Sequence, residues 1–521
     1  MRIAALDLGS NSFHLLVADV HADGTFVPLV REKEMLRLGD AVARDGRVSD
    51  AMADTAVATV RRFRKLAEAA GATEILACAT SAIRTASNGD DVVDLIETEA
   101  GIPVEVIDGL EEARLIFGAV RASVVLEPAP ALCFDVGGGS VEIMVGDAGA
   151  MFWATSERLG VARLTQDLVH SDPLTKADRR ALREHITRVL EPVAQRVAAF
   201  EPKLVVGSSG TLEDIAQMVA ARRDANVPVS LNQLTFTRDE FVPLHRELTT
   251  LPASERRKIP GLEARRIDLI PAGAMFLATA MEVFHFDEMT VSEWALREGM
   301  VLDAIGRHDP ADWSDDARSI RRASVSSLAR RCSSPERHAS HVAMLVLQLF
   351  DGTATMHELG PADRELLEYA ALLHDIGEHV SSDGHDRHAA YLVQHGGLRG
   401  FDPEEVRVLT AIVRWHRRGD PKPTDDTMID LSPGTRERVR KLTALLRVAD
   451  GLDRGRHQTV SRVAVRCGPS LVLVGIDATG DPELELWGAR RKRDLFEKTF
   501  DRELELTMHP SALYPATKAS C

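Results

Sequence analysis

The stretch LDLGSNSFHLLVAD, residues 6–19, reads as an apolar strand, an aspartate, a turn of small residues and a second apolar strand. FDVGGGSVEIMVGD, residues 134–147, repeats this pattern, with its aspartate and its first glycine at the same places. Such a repeat predicts two related α/β halves, each presenting a glycine hairpin to a shared cleft. The simpler alternative is two unrelated β-turns, because glycine hairpins are common.

A third glycine loop lies in LVVGSSGTLEDIAQM, residues 204–218, where a strand pattern runs into a helix pattern. Backbone N–H groups at the start of a helix form a positive end that binds anions, and residues 207–211 offer several such groups. The alternative is an ordinary helix start with Thr211 or Ser209 as its N-cap. The presence of the two hairpins favours the anion site.

Length and composition narrow the class of protein. At 521 residues with a net charge of −16, the chain is expected to form three or four domains and not to bind nucleic acid or acidic membranes generally. Aromatic residues make up 5%, too few for a stacking platform for single-stranded nucleic acid. The five cysteines are scattered without CxxC pairs, which predicts a reducing compartment. With no signal-peptide pattern and no apolar run of about 18 residues, we expect a soluble cytoplasmic protein without a membrane partner.

The order of strand and helix patterns divides the chain into four regions. Two α/β halves are followed by a linker at RHDPADWSD, residues 307–315, and by a mostly helical, all-α region. A small α+β module ends the chain, with ELELW, residues 483–487, as its third strand, and nothing in it suggests chemistry. The predicted domains are residues 1–122, 123–306, 313–460 and 461–521.

Six segments carry a family resemblance, in the order AALDLGSNSFHLL, ATSAIRTASN, EEARLIFGAV, FDVGGGSVEIMVG, VGSSGT and SEWALREGM. Over roughly the first 305 residues, the chain strongly resembles the exopolyphosphatase/guanosine pentaphosphate phosphohydrolase family. The resemblance implies two actin-like, sugar-kinase-like (ribonuclease H-like) halves. It further implies a hydrolase that releases the terminal phosphate of inorganic polyphosphate or of guanosine pentaphosphate, and a homodimer formed through the helical domains.

The resemblance also implies where the substrate and its metal bind. The two hairpins would cradle the terminal phosphates through backbone N–H groups. Asp7 and Asp135 would face each other and hold Mg²⁺, with Glu142 as a further ligand, because magnesium takes a few carboxylates together with waters and phosphates. The implied phosphate-binding residues are Gly9, Ser10, Asn11, Ser12, Arg84, Gly137, Gly138, Gly139, Ser140, Gly207, Ser208, Ser209, Gly210 and Thr211.

Two charged residues carry the implied chemistry. The family's catalytic base lies in the EEAR segment, which makes Glu112 the residue that orients and deprotonates the attacking water. Its neighbour Glu111 is expected to face solvent, because adjacent helical residues point about 100° apart. Arg84 suits a phosphate because a guanidinium grips oxyanions bidentately. The alternatives are a solvated helix charge for Glu112 and an ordinary helix salt bridge for Arg84, and the REG segment at Arg297 to Gly299 is interpreted as structural.

The helical region contains a concentration of histidines. Nine of the 18 histidines fall between His338 and His416. Seven of them lie in the segments ERHASHVAMLVLQLFD, ALLHDIGEH, GHDRHAAYLV and VRWHRRGD, and LLRVADGLDR follows. This region resembles the HD superfamily of metal-dependent phosphohydrolases, and imidazoles mixed with carboxylates suit Mn, Fe or Zn. The implied ligands are His338 or His341, with His338 preferred, then His374, Asp375, His385 or His388, His416 and Asp450. The alternative is a domain that descends from an HD enzyme and serves only dimerisation and polymer binding.

Three other functions compete with terminal phosphate release. A sugar kinase of the same fold would need a base for a substrate hydroxyl and a sugar pocket, and no motif for either is present. A non-catalytic sensor of guanosine alarmones or polyphosphate is disfavoured by the complete set of Asp7, Glu112 and Asp135. A nucleotide phosphodiesterase at the HD-like site would be recognised by a requirement for Mn²⁺ that survives Glu112→Gln.

Overall fold

The structure, a computed structural model, describes residues 1–21, 24–223, 227–308 and 317–508. The chain divides into two units, Met1–Ile320 and Arg321–Cys521. Residues 309–315 of the predicted linker lie outside the described residues. In the part of the chain that the structure describes, no helix combines the length and the apolar character needed to cross a bilayer.

The first sheet is built on the strand pair around residues 9–11. Strand β1 (Arg2–Leu8) pairs antiparallel with β2 (Ser12–Val20), which places Asp7 opposite His14. Both strands are apolar and mostly buried, as expected for a sheet covered on both faces. The other elements of this half are β3 (Phe26–Met35), α1 (Leu38–Asp45), α2 (Asp50–Ala69), β4 (Glu74–Ala79), α3 (Ser81–Thr85), α4 (Gly89–Ala100), β5 (Glu105–Val106) and α5 (Gly109–Ser123). The strand order is β3-β2-β1-β4-β5, with β1, β4 and β5 parallel.

The second sheet repeats this topology. Strand β6 (Ala131–Val136) pairs antiparallel with β7 (Val141–Gly146), which places Asp135 opposite Glu142. The other elements are β8 (Met151–Glu157), α6 (Val161–Leu168), α7 (Lys176–Val197), β9 (Leu204–Ser208), α8 (Gly210–Arg223), β10 (Thr235–Thr237), α9 (Arg238–Thr250), α10 (Ala253–Arg256), α11 (Ile270–Val283), β11 (Glu288–Val291) and α12 (Leu296–His308). The order is β10-β11-β9-β6-β7-β8, so an antiparallel hairpin again flanks parallel strands. The predicted α/β class of this part of the chain is confirmed.

Helix α12 packs directly on α5 at the REG segment. A Cβ on Gly299 would lie 2.1 Å from the carbonyl oxygen of Leu115 in α5, so this approach requires glycine. Leu115, Met300 and Val301 belong to one buried core. Helix α5 also carries Glu112. Gly299 therefore has a structural role, because it lets α12 pack closely against the helix that bears the candidate base.

Unit 2 begins with helices packed around a core of aliphatic side chains and continues into a three-stranded sheet. Its helices are α13 (Ala317–Arg331), α14 (Glu336–Gly352), α15 (Ala354–His357), α16 (Pro361–Leu373), α17 (His385–His395), α18 (Pro403–Trp415) and α19 (Pro433–Gly451). The module that follows contains β12 (Val460–Cys467), β13 (Leu471–Ala478), α20 (Glu483–Lys492), α21 (Asp494–Phe500) and β14 (Glu503–Met508). The sheet order is β12-β13-β14.

The predicted strand at residues 483–487 is wrong, because these residues begin helix α20. The alternation E-L-E-L fits a strand over four residues, but glutamate, leucine, alanine and arginine are also strong helix formers. The Asp481 carboxylate accepts a hydrogen bond from the Glu483 N–H at 3.1 Å, which satisfies one of the free donors at the helix start. Burial of Leu486 and Ala489, three residues apart, supplies the helical face that a strand would lack.

Candidate functional site

The two glycine hairpins face each other across a cleft in unit 1. A Cβ on Gly138 would lie 3.0 Å from the Asn11 Cβ, and one on Gly139 would lie 2.7 Å from the Ser10 Oγ, so small residues are needed for this approach. The cleft has a volume of about 310 Å³ and is lined by both hairpins, by Asp7, Asp135 and Glu112, and by the third loop. The sequence repeat therefore correctly predicted that the two glycine hairpins lie next to each other.

The second hairpin is anchored through its carbonyl groups. The N–H of Val161 donates to the Gly137 oxygen at 3.0 Å, and that of Ala162 donates to the Gly138 oxygen at 2.9 Å. The free N–H groups in the first turn of α6 are thus bonded to carbonyl oxygens of the hairpin. The side of the hairpin that faces the cleft remains available for a ligand. Gly160 permits the contact, because a Cβ there would lie 2.4 Å from backbone atoms of Gly138 and Gly139.

The third loop is tied to the second hairpin. The Ser208 hydroxyl donates to the Asp135 carboxylate at 2.6 Å, and the Ser209 hydroxyl donates to the Val136 carbonyl at 2.7 Å. Ser209 has φ 73°, and α8 begins at the next residue, Gly210. Ser209 therefore does not cap the helix through its side chain. Thr211 is a buried residue inside α8, and the start of this helix opens on the cleft, as the anion-site prediction requires.

The three acidic residues predicted to hold Mg²⁺ are buried beside the hairpins. Burial raises the pKa of Asp7 to about 7, although the Arg297 guanidinium opposes the shift. Burial also raises the pKa of Asp135 to about 6 and that of Glu142 to about 7. Carboxyl groups held in this way resist ionisation until a cation joins them, and carboxylate oxygens are the donors that Mg²⁺ prefers. The donor set therefore fits magnesium.

These carboxylates are nevertheless not a closed cluster. Among the described residues, the groups whose ligand atoms all lie within 4.8 Å of one another do not include Asp7, Asp135 or Glu142. Glu142 also accepts a hydrogen bond from the Ser156 hydroxyl at 2.7 Å. An ion here would take only one or two protein ligands and complete its shell with water and phosphate oxygens, which is the usual arrangement for magnesium.

Glu112 lies in the first turn of α5, whose N-cap is Asp108. The Asp108 carboxylate accepts the N–H groups of Leu110 and Glu111 at 2.9 and 2.8 Å, which fixes the start of the helix. Glu112 is only 7% exposed, and burial, followed by the charge of Glu142, raises its pKa well above the usual range. Glu111 turns outward and pairs with Arg114 at 2.7 Å, as the 100° rule predicted.

Arg84 connects α3 to the candidate base. Its Nη1 donates to the Ile107 carbonyl at 2.6 Å and to the Glu112 carboxylate at 3.1 Å. The contact joins two helices and is not a bond along one helix. Among the guanidinium nitrogens of Arg84, only Nη1 has hydrogen-bond partners within the described residues. Arg84 does not line the cleft, so its contact with phosphate stays a prediction.

A chain of hydrogen bonds that the sequence did not reveal ends on the first hairpin. Arg297 Nη1 lies 3.3 Å from His14 Nδ1, and His14 Nε2 lies 2.7 Å from Ser12 Oγ. Burial, together with Arg297 and Lys33, holds the pKa of His14 well below its ordinary value, so the ring is neutral. Because arginine only donates, Nδ1 must accept and Nε2 must carry the proton. Ser12 therefore accepts from His14 and keeps its own proton for a ligand.

Arg266 is a second cation that sequence reasoning missed. Its guanidinium lies against Gly210 in the third loop and pairs with Glu263 at 3.1 Å and with Asp214 at 3.4 Å. Arg266 reaches the cleft from a 3₁₀ turn that carries no motif. Arg266 lines the cleft only because this turn packs against the start of α8 in the folded chain.

Comparison with known proteins decides the family. The model of the Ppx/GppA phosphatase family matches residues 16–308, which is more than half of the 521-residue chain, and the model of Ppx/GppA phosphatase domain III matches residues 320–469. The chain belongs to the Ppx/GppA phosphatase family. The resemblance noted in the sequence is thereby confirmed, as is the prediction of an enzyme that hydrolyses phosphate groups.

Curated relatives and solved structures of this family agree. The chain is 33% identical over 303 residues to exopolyphosphatase 1 of Mycobacterium leprae, covering 58% of this chain and 89% of the relative. A crystal structure of an exopolyphosphatase from Cytophaga hutchinsonii is 29% identical with a TM-score of 0.56, covering 59% of this chain and 98% of that one. The Aquifex aeolicus family member is 26% identical with a TM-score of 0.51, covering 59% and 99%. Unit 1 therefore has the actin-like α/β fold of the Ppx/GppA family.

The helical region, which the family's domain III model covers, brings six predicted metal ligands together. They form two groups whose ligand atoms lie within 4.8 Å of one another, namely His338, His374 and Asp450, and Asp375, His385 and His416. His338 is thus the member of the predicted pair that joins the cluster, and His341 does not. His388, offered as an alternative to His385, also lies outside both groups.

The four imidazoles of this cluster are held in one tautomer. Their Nδ1 atoms meet the Asp453 carboxylate at 2.8 Å for His338 and backbone carbonyls at 2.7 to 3.0 Å for the other three. Acceptors at Nδ1 require the proton there, which leaves each Nε2 with a lone pair for a cation. Among the residues that the structure describes, none forms a hydrogen bond with the Nε2 of fully buried His374. Imidazole and carboxylate donors arranged in this way fit a transition metal.

Proposed function

We propose that this chain releases the terminal phosphate of inorganic polyphosphate by hydrolysis in the cleft of unit 1. The observation that carries the proposal is Glu112, a buried carboxylate with a raised pKa that faces three glycine loops. A general base needs a pKa closer to the working pH than that of an ordinary glutamate, and burial raises the pKa of Glu112 in that direction. The curated relatives named exopolyphosphatase 1 support this substrate.

The residues of the chain divide the work as follows. Backbone N–H groups of the hairpins and of the α8 start, with the Ser12 hydroxyl, hold the terminal phosphate. Glu112, oriented by Arg84, takes a proton from a water molecule whose oxygen bonds to the terminal phosphorus. The bond from that phosphorus to the bridging oxygen breaks, and the products are orthophosphate and a polyphosphate one unit shorter. Mg²⁺, when held by one or two of the carboxylates of Asp7, Asp135 and Glu142, would neutralise charge on the transferred group.

The test measures phosphate release with a matched pair of variants. Glu112→Gln removes the base without changing its shape, whereas Glu111→Gln changes the adjacent, outward-facing glutamate. We expect Glu112→Gln to lose ~10²- to 10⁴-fold in kcat on long-chain polyphosphate, and Glu111→Gln to stay within about two-fold of the wild type. Release that survives Glu112→Gln would refute the assignment. Guanosine pentaphosphate shares the terminal anhydride, so the same assay with that substrate decides which of the two is preferred.

We also propose that residues 313–460 form an HD-like domain that binds Mn, Fe or Zn. The proposal is supported by the two ligand groups and by the orphaned Nε2 of His374. Metal analysis of the purified protein should find bound transition metal in the wild type and in His388→Ala. The double variant His374→Ala/Asp375→Ala should lose it, and equal metal content in all three proteins would contradict the site. The four domain boundaries, the homodimer and the cytoplasmic location stay predictions.

A further inference from the structure

Unit 1 contains a second cavity, with a volume of about 400 Å³, at the β5 edge of the first sheet. Its walls come from β4, from the chain around β5, and from helices α4, α5 and α12. Helix α5 borders both cavities of this unit, because Glu112 lines the cleft whereas Glu111 and Leu115 line the second cavity. A volume of this size accommodates a small organic ligand.

The floor of this cavity is apolar. Ile107, Leu115 and Met300 line it, belong to one buried core and are each at most 5% exposed. Leu76 of β4 also lines the cavity and packs against the same core. Hydrocarbon that enters the cavity would therefore be removed from water, which favours a ligand with an apolar body.

The charged side chains around this floor are mostly acidic. Four carboxylates line the cavity, against the single guanidinium group of Arg307. Two of the four are already engaged, because Arg114 pairs with Glu111 at 2.7 Å and with Asp303 at 2.8 Å. Arg307 also pairs with Asp303, at 3.3 Å. The cations near the cavity are thus used on one pair of carboxylates.

The other two carboxylates belong to Glu97 and Glu105. Neither forms an ion pair with any residue that the structure describes. The Glu97 carboxylate accepts the Val104 N–H at 2.8 Å, which places it beside the residue that precedes Glu105. Two uncompensated carboxylates next to an apolar floor favour a ligand that carries positive charge on a hydrocarbon body.

Strand β4 presents free backbone groups to the same cavity. It pairs with β1 from Glu74 to Ala79, whereas β5 pairs only with Cys78 and Ala79. The Ile107 N–H donates to the Ala79 carbonyl at 3.2 Å, so the backbone groups of Ala79 point toward β5. Because this direction alternates along a strand, Ile75 turns its N–H and C=O the same way, into the cavity that it lines. In the described part of the chain, no strand pairs with Ile75 on that side.

A buried thiol also lines the cavity without a partner. Cys78 is 7% exposed, and among the described residues none forms a hydrogen bond with its sulfur. Burial, followed by the charge of Glu105, raises the pKa of this thiol to about 12, so the sulfur stays neutral. The polar groups left free in the cavity are therefore chiefly acceptors, namely two carboxylates, a carbonyl oxygen and a sulfur atom.

We propose that this cavity binds a small aliphatic diamine, with its carbon chain on the apolar floor and its ammonium groups on Glu97, Glu105 and the Ile75 carbonyl. An ammonium group has three donors and no acceptor, which matches a site that offers acceptors. Two positive charges balance the two uncompensated carboxylates. The site is separate from the cleft, and its ligand does not depend on the substrate proposed there.

The test titrates the full-length chain with 1,5-diaminopentane by calorimetry, with excess Mg²⁺ present to compete for the carboxylates of the cleft. We expect saturable binding at one site, and ~10-fold weaker binding of the uncharged analogue 1,5-pentanediol. Glu105→Gln and Glu97→Gln should each weaken diamine binding ~10-fold, and the glutamine can still accept the Val104 N–H. Asp94→Asn is the matched control, because it removes the same charge from an exposed residue of α4 that does not line the cavity.

Amide hydrogen–deuterium exchange locates the bound diamine. Peptides that contain residues 74–79 should exchange more slowly when diamine is bound, because it shields the Ile75 N–H from water. Three results would overturn the proposal. These are the absence of saturable binding, equal weakening by Glu105→Gln and Asp94→Asn, and binding that leaves exchange in residues 74–79 unchanged. The second would mean general attraction to an acidic surface, and the third would mean a site elsewhere. Melting curves of the variants distinguish lost binding from lost folding.

Discussion

Replacement of Gly160 by alanine should displace the second hairpin from the cleft. The added Cβ would lie 2.4 Å from the backbone carbons of Gly138 and Gly139 and from the Gly138 oxygen. These are main-chain atoms, so no rotation of a side chain can relieve the overlap. The hairpin or the start of α6 must move by about 1.0 Å to restore an ordinary contact of 3.4 Å.

The size of the effect follows from that displacement. A misplacement of about 1 Å in a phosphate-positioning group costs on the order of 10²-fold in rate, or ~2.7 kcal/mol of transition-state stabilisation. Overpacking of a buried contact also lowers the free energy of unfolding by ~1–3 kcal/mol. The variant should therefore remain folded, melt at a lower temperature and release phosphate from polyphosphate ~10²-fold more slowly.

The matched control is Gly118→Ala in the middle of α5. Apart from the neighbouring residues and backbone of α5 itself, no atom of the described residues lies within 4 Å of a Cβ at Gly118, so alanine there should stabilise the helix by ~1 kcal/mol and leave activity unchanged. Phosphate release and thermal unfolding are measured for both variants and the wild type. If Gly160→Ala retains activity within two-fold of Gly118→Ala, the position of the hairpin does not limit the reaction and the reasoning fails.

Three further predictions concern the cleft and the stability of unit 1. Ser208→Ala removes the 2.6 Å hydrogen bond to Asp135, so the Mg²⁺ concentration for half-maximal phosphate release should rise ~10-fold, and an unchanged requirement would contradict a metal role for Asp135. Ser12→Ala and His14→Leu should each lower kcat/KM ~10-fold. Because His14 acts through the Ser12 hydroxyl, the double variant should lose no more activity than either single variant, and additive losses would refute this hydrogen-bond relay. Burial, with Arg183 and Arg179, lowers the pKa of His245 to about 4, so the unfolded chain binds a proton at higher pH than the folded one. The free energy of unfolding should fall by ~3 kcal/mol between pH 6.5 and pH 4 on account of His245, and denaturant unfolding of His245→Gln should show a fall smaller by that amount.

The sequence alone predicts those parts of the site that depend on a short, local pattern of residues. The glycine turns after Asp7 and Asp135 need small residues wherever the backbones approach each other, so their repetition predicted both hairpins and the cleft between them. The family resemblance predicted that Glu112 faces the cleft, and the outward direction of Glu111 then followed from helix geometry.

Other features depend on contacts between segments distant in sequence, and no local pattern signals them. Arg297 reaches His14 only because α12 packs on α5 and on the first sheet, and Arg266 reaches the third loop from a turn without a motif. The helix at residues 483–487 was missed for a related reason. The alternation of polar and apolar residues there is too short to distinguish a strand from a helix. The buried face of this helix exists only through its contact with α19.

The position of two histidines at helix ends has a dynamic consequence. His374 and His416 each follow the last residue of a helix, α16 and α18, and each Nδ1 is bonded to a carbonyl three residues earlier, in Ala371 and Val413. Fraying of either final turn would therefore withdraw a ligand, and a captured ion would clamp both turns at once. Slow amide hydrogen–deuterium exchange in these two turns, made faster by a chelator, would report the occupancy of the cluster from the backbone itself.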